Sequence, residues 1–541
     1  MYKKMAPGNK KRASSTGQRR GWLPPSWRRT MVSRNARRPN QPERPRYDQI
    51  VRQLAAYNRE VSAEELAVSA GLKAEPAFEA INARYAALFA PRHLKSARDL
   101  AENLPGRALR ENFARLSFAL IEGRLERKLA KLDDAIASVE GQGKIACDGR
   151  SLAYNDVIPE LGRLTDPAAR ERLWSAWLAW VEKRLNPLLV QRNRELLKNL
   201  KRLGYGSERA LAQARTGVDY DELERRLHAL ASETDETYLF HMRSAVRKRF
   251  GLRFPGLSRV HQLALNSMRE FDALFPADKL AATCAASFRG LGLDLEAAPN
   301  LRVDAEYRPN KDWRAFCVAI DPPEEVHLVI KPVGGIEDLA AYLHEAGHAW
   351  HYACTNARLP YESRCLPRSL ALTETFAALF EYLPQDEGWL VKVAGLDPGS
   401  AAAVSRQSRL CDLALLRRFI GKLTYELEMN RHPADDIRNR LCFRSIMAAY
   451  TGLAYDGGAY LVDVDAGLYS ADYLRAWLAE AQLRGHLVRT YGPEWFASKA
   501  AGDFLRSLYA KGDSWDAEDL VRSLGLEPWD PAPLLQRFAD L

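Results

Sequence analysis

His344 and His348 stand four residues apart, with Glu345 beside the first, in the run His344-Glu345-Ala346-Gly347-His348. On a helix, positions i and i+4 lie one turn apart on one face, so the two imidazoles suit adjacent corners of a tetrahedral metal. Glu345 points along the neighbouring edge, where a carboxylate can act as base toward a water polarised by that metal. Five residues are few enough to match by chance, so their setting decides. Gly334-Gly335 marks a turn, Asp338 falls in a first helical turn, and Ile336, Leu339, Ala340, Leu343 and Trp350 recur at helical spacing. This predicts one amphipathic helix over about 336 to 353. Burying two histidines and a glutamate in a plain core helix is costly, which weighs against histidines that only satisfy core hydrogen bonds.

Zinc hydrolases often take a third ligand from a glutamate on the next helix and leave the fourth position open. Residues 369 to 383 (SLALTETFAALFEYL) predict that helix, with Leu372, Phe376, Leu379 and Leu383 as its apolar stripe. Glu374, flanked by Thr373 and Thr375 and followed by the small Ala377 and Ala378, is the first candidate. Glu381, seven residues on and on a similar face, is the second. His351, seven residues after His344, also falls on the metal side and reads as an outer residue that orients a ligand or carboxylate. Three histidines on one helical face and Glu374 would crowd a single tetrahedral ion.

The run from Ala315 to His351 (AFCVAIDPPEEVHLVIKPVGGIEDLAAYLHEAGHAWH), followed by LTETFAALFEYL, resembles the catalytic core of the thimet oligopeptidase and oligoendopeptidase F family of zinc metallopeptidases. Residues 145 to 255 are similar, more weakly, to the helical substrate-binding half of that family. The resemblance implies a zincin-like, predominantly helical oligopeptidase with a deep substrate groove and one Zn2+ per chain. It implies His344, His348 and Glu374 as metal ligands, Glu345 as general base, and short unstructured peptides as substrates. Family members also carry a histidine followed by tyrosines that steady the tetrahedral oxyanion. Here the comparable stretch, Gly467 to Leu487, keeps Tyr469 and Tyr473 but has no histidine shortly before them. Tyr473 is the first candidate for that role and Tyr469 the second, since a phenol donates a hydrogen bond to developing negative charge.

Residues 326 to 330 (Val326-His327-Leu328-Val329-Ile330) read as a strand between prolines, a small β element beside the zinc helix. An edge strand there would hold a peptide backbone by pairing with it, which points to His327, Gly334 and Gly335 as substrate contacts. Arg475 and Arg484 are candidate anchors for a peptide carboxylate, because guanidinium forks match carboxylates. Such an anchor is what a metallocarboxypeptidase on a related scaffold would need. A metal-stabilised binding protein without activity is the other alternative, against which an intact Glu345 weighs.

With 541 residues, 47% hydrophobic and 27% charged, the chain has the composition of an ordinary globular protein. No apolar run nears the roughly 18 residues of a membrane span, so no membrane partner is expected. Seven scattered cysteines favour a reducing cytoplasm over a disulfide framework. Residues 1 to 46 carry 14 Lys or Arg and one acid, Glu43. The formal +10 of the whole chain therefore leaves the remainder slightly acidic. This Pro- and Arg-rich stretch predicts a disordered basic tail or an extension from a mis-set start, with Met31 as another start. Weak nucleic-acid or anionic-surface binding ranks second and targeting third. The expected organisation is this tail, a helical substrate-groove half over 47 to 300, and a zinc-binding catalytic half over 301 to 541. The sequence carries no signal for oligomeric state.

Overall fold

The computed structural model describes residues 43–308, 310–312, 314–539 and 541, which belong to one compact unit. The basic tail expected over 1 to 46 lies outside the described residues except for its last four. These begin the helix Glu43–Ser69.

The fold is predominantly helical. Local chemistry starts the helices where the sequence places caps: the Asp166 carboxylate accepts from Ala168 and Ala169, Asp219 from Asp221 and Glu222, and Asp397 from Gly399 and Ser400. Pro167 and Pro398 follow two of these caps at the first helical position. Between the helices Pro91–Asn103 and Arg107–Gln142 the chain turns at Gly106, which takes a positive φ of 95°.

Five strands make two small sheets. Lys144–Cys147 (β1) and Arg150–Ala153 (β2) form an antiparallel hairpin. Its turn residues Asp148 and Gly149 both have positive φ, the geometry that an Asp-Gly pair favours in a two-residue loop. Leu301–Asp304 (β3), Phe316–Asp321 (β4) and Glu325–Val329 (β5) form a three-stranded sheet in the order β3-β5-β4. β5 runs parallel to β3 and antiparallel to β4. The strand that carries His327 is therefore central, which corrects the expectation of an edge. Both of its ladders are filled, and β4 is the edge beside the helix Ile336–Ala353.

Three apolar cores hold these elements. The first joins residues from both sides of position 300, among them Trp174, Leu227, Leu413 and Leu423. The second encloses the helix Ile336–Ala353, the predicted zinc helix, through Ile336, Leu339, Leu343 and Ala346. The helix Ala371–Glu381, which follows the short helix Tyr361–Cys365, is buried on every face from Ala371 to Phe380, so it is a core helix and not an amphipathic one. Among the described residues no helix is long and apolar enough to cross a membrane.

The two site-bearing helices meet at Gly347. A Cβ there would sit 2.7 Å from Ala377 Cα and 2.8 Å from the Phe376 carbonyl oxygen, closer than backbone tolerates. Gly347→Val should therefore force the helices apart and cost about 1–3 kcal/mol. The check is the thermal unfolding midpoint of chelator-treated protein, where metal binding cannot contribute. An unchanged midpoint would show that the contact is not tight.

Candidate metal centre

His344 and His348 project from one face of the helix Ile336–Ala353, and Glu374 rises to meet them from Ala371–Glu381. Among the described residues these three form a group able to hold a metal ion, with their ligand atoms within 4.8 Å of one another. The two Nε2 atoms are 3.1 Å apart, His344 Nε2 is 3.4 Å from Glu374 Oε2, and His348 Nε2 is 3.7 Å from Glu374 Oε1. A tetrahedral zinc with bonds near 2.0–2.1 Å has ligand-to-ligand edges of about 3.3 Å. The three donors thus already stand close to the spacing of one tetrahedral face.

The outward side of each imidazole is spoken for. His344 Nδ1 lies 2.8 Å from Glu381 Oε2, a carboxylate that only accepts, so Nδ1 carries a proton and Nε2 is the nitrogen that faces a metal. His348 Nδ1 lies 2.7 Å from Thr373 Oγ1. Thr373 donates its own hydroxyl proton to the Tyr352 hydroxyl at 3.4 Å and therefore accepts from His348. Both rings consequently turn Nε2 toward the Glu374 carboxylate. Glu374 Oε2 is buried with no hydrogen-bond donor on it. A carboxylate and two imidazole nitrogens at these distances call for a positive charge among them, a proton held by His344 or a metal in its place, and this is the observation by which the residues fit a metal.

The local electrostatics follow. Burial opposes a charge on His344, but Glu381 and Glu374 outweigh it and raise that imidazole well above its usual pKa. Burial pushes His348 down to about 4, with Glu374 opposing and His344 adding. Burial would raise Glu374, yet His348, His344 and the Tyr469 hydroxyl together lower it to about 2. Glu345 stays outside this group. Its carboxyl is raised to about 7, chiefly by burial, and it accepts the backbone N–H of Cys317 on β4.

The other predicted residues divide. Tyr469, at the start of the helix Tyr469–Tyr491, donates its hydroxyl to Glu374 Oε1, and the Tyr473 ring lies 4.6 Å from it. Burial, then the charge of Glu374, raises both phenols above their ordinary pKa, so they remain protonated donors. Glu381 stands behind His344 and not in the ligand set. His351 does not orient a carboxylate or a ligand. Seven residues of helix carry it about 10 Å along the axis from His344, where its ring packs against Phe376 and Tyr509.

Gly334 and Gly335 have positive φ, but the close approach they permit is to the chain itself. A Cβ at Gly335 would meet Asp272 Oδ1 at 2.5 Å and one at Gly334 the Ala277 nitrogen at 3.2 Å. His327 pairs with Glu325 at 3.1 Å on the central strand. Arg475 is buried, held by both oxygens of Glu518 at 2.7 Å and by Asp472 at 2.9 Å. It has no free face for a peptide carboxylate. Asp472 also accepts the backbone N–H of Leu370 at 2.8 Å, so the pair ties the helix Tyr469–Tyr491 to the start of the glutamate helix. Arg484 is engaged by Glu480 and the Leu379 carbonyl.

Sequence reasoning missed three parts of the centre. Thr373 entered only as a neighbour of Glu374, although position 373 was one residue away in a helix facing His348. Tyr352 carried no signal beyond adjacency to His351. The Cys317 amide is a backbone group that side-chain spacing cannot reveal.

No family model matches the chain, and a search of the curated proteins finds no match either.

Two predictions separate ligands from their supports. Glu374→Ala should weaken zinc binding by several orders of magnitude, whereas Glu381→Ala and Thr373→Val, which remove only outer hydrogen bonds, should each cost ~10- to 100-fold. Competition with a chelator measures all three. A larger loss for Glu381→Ala than for Glu374→Ala would reverse the assignment.

Proposed function

We propose that the chain is a zinc-dependent metalloendopeptidase that hydrolyses short, unstructured peptides on a zincin-like scaffold, as its likeness to the thimet oligopeptidase and oligoendopeptidase F family implies. The observation that carries this reading is the convergence of His344 Nε2, His348 Nε2 and the Glu374 carboxylate, with Glu345 adjacent and uncommitted to the ligand set. Two imidazoles and one carboxylate form a donor set typical of catalytic zinc, with a fourth position left for water or substrate.

Zinc bound there supplies Lewis acidity, which polarises a peptide carbonyl and acidifies a water. The chain's own residues do the rest. Glu345, anchored by the Cys317 amide and raised toward neutrality by burial, takes the proton of the attacking water and passes it to the leaving amine nitrogen. A group that must accept and then release a proton works best with a pKa near the operating pH. Tyr473 is the donor to the oxyanion, because Tyr469 already gives its hydroxyl to Glu374. Glu381 and Thr373 hold the two imidazoles in the tautomer that leaves Nε2 free.

The metallocarboxypeptidase alternative needs a cationic anchor for the terminal carboxylate. Arg475 and Arg484 are both taken by internal partners, which favours endopeptidase action. The cysteines, none of them paired, support a reducing compartment, the cytoplasm.

Glu345→Gln should keep about one zinc per chain and the native unfolding temperature while lowering peptide hydrolysis by a factor of ~100 to 10,000 or more. Elemental analysis and a quenched-fluorescence peptide assay read the two halves of that statement. Loss of the metal would make Glu345 a ligand, and undiminished turnover would remove it from the reaction.

A further inference from the structure

A cavity of about 610 Å³ lies beside the candidate centre, and Tyr469, whose hydroxyl donates to Glu374, forms part of its wall. That volume is within the usual range for a ligand pocket. Much of the lining is apolar: Phe118, Leu125 and Leu129 of the helix Arg107–Gln142, Leu196 of Asn186–Arg202, and Leu211 of Glu208–Thr216.

The charged groups in the wall do not balance. Each arginine there already donates to an internal partner. Arg115 donates to the Leu366 carbonyl, Arg192 to Asp133, and Arg215 to Glu122. Two of the acids are likewise matched, Asp465 by Lys422 at 2.8 Å and Asp472 by Arg475 at 2.9 Å. Glu126 and Glu208 are left over. Among the described residues Glu126 has no hydrogen-bond or ion-pair partner, and Glu208 takes only the Gly467 N–H at 3.2 Å. Glu126 is exposed on the cavity wall and Glu208 half-buried, and partial desolvation in the groove raises both carboxyls. Glu122 and Asp133 add to the effect at Glu126, and Arg192 offsets it only partly at Glu208.

We propose that this cavity is a specificity pocket for a basic side chain of the peptide substrate, with Glu126 and Glu208 receiving its guanidinium or ammonium group. The assignment rests on the peptidase reading above. A long basic side chain matches the wall twice over: its methylene stem lies along the leucines and Phe118, while its charged end meets carboxylates that lack a cation. A neutral side chain of the same size would leave those carboxylates desolvated and unpaired, and an acidic one would be repelled.

The test measures binding apart from cleavage. Zinc-loaded Glu345→Gln protein is titrated, by fluorescence anisotropy, with labelled heptapeptides in which arginine or its neutral isostere citrulline occupies each position in turn. At one position arginine should bind about tenfold or more tighter than citrulline, and the advantage should shrink in high salt. Adding Glu126→Gln should remove most of it. Glu126→Lys should turn the preference toward glutamate at that position. Glu126 is the primary target because it supports no other group, whereas Glu208 also holds the Gly467 amide. An equal affinity at every position, or an arginine preference that survives both Glu126→Gln and the Glu126→Gln/Glu208→Gln pair, overturns the pocket. Hydrolysis of the same peptides by the unaltered chain is read separately. Cleavage without an arginine preference sinks the pocket and leaves the peptidase, whereas a preference that Glu126→Gln abolishes, with no cleavage, supports the pocket and sinks the peptidase.

Discussion

Where Gly347 passes Ala377 two helices approach with no side chain between them, and the centre depends on that contact. The histidines belong to one helix and Glu374 to the other. Their donor atoms stand 3.1 to 3.7 Å apart only because the backbones are this close. A packed core on both sides keeps the approach fixed. Ala346 and Ala349 of the first helix and Ala377 and Ala378 of the second are small and fully or almost fully buried. Apolar packing thus sets the geometry of a polar site, and the polar groups add direction to it.

That direction comes from a second layer of buried hydrogen bonds. Glu381 and Thr373 each take one ring proton, and between them they decide which nitrogen of each imidazole faces inward. A carboxylate and two ring nitrogens turned toward one point inside a protein call for a positive charge there, from a proton on His344 or from a metal. Buried titratable groups gathered in this way are common at functional sites. Arg475 performs a similar service at longer range. With Asp472 and Glu518 it locks the tyrosine-bearing helix against the glutamate helix, which sets Tyr469 against Glu374.

Helical periodicity carried much of this in the sequence. The ligand helix spans Ile336 to Ala353, the limits its apolar spacing and the glycine pair imply, because a buried stripe must repeat with the helical turn. Glu374 was legible for a different reason: small residues around a lone carboxylate mark a close helix contact. What stayed hidden depends on tertiary partners. Alternation identifies a strand but cannot say whether its ladders are filled, so the strand of His327 reads the same at an edge or, as here, at the centre. Arg475 looks like a solvated residue until Glu518, 43 positions away in the chain, is seen to bury it. His351 shares the angular position of the ligands but not their height along the axis, a distinction a helical wheel does not draw. The Asp-Gly pair at 148–149 makes the turn of the β1–β2 hairpin, a geometry few other dipeptides adopt.

The central claim is that one metal ion sits on His344, His348 and Glu374. X-ray absorption at the zinc edge of the zinc-loaded chain tests it most directly. The account predicts a first shell of nitrogen and oxygen at about 2.0–2.1 Å with the outer scattering of two imidazoles, reduced to one in His348→Ala. A sulfur shell near about 2.3 Å, or an imidazole count that His348→Ala leaves unchanged, would contradict it.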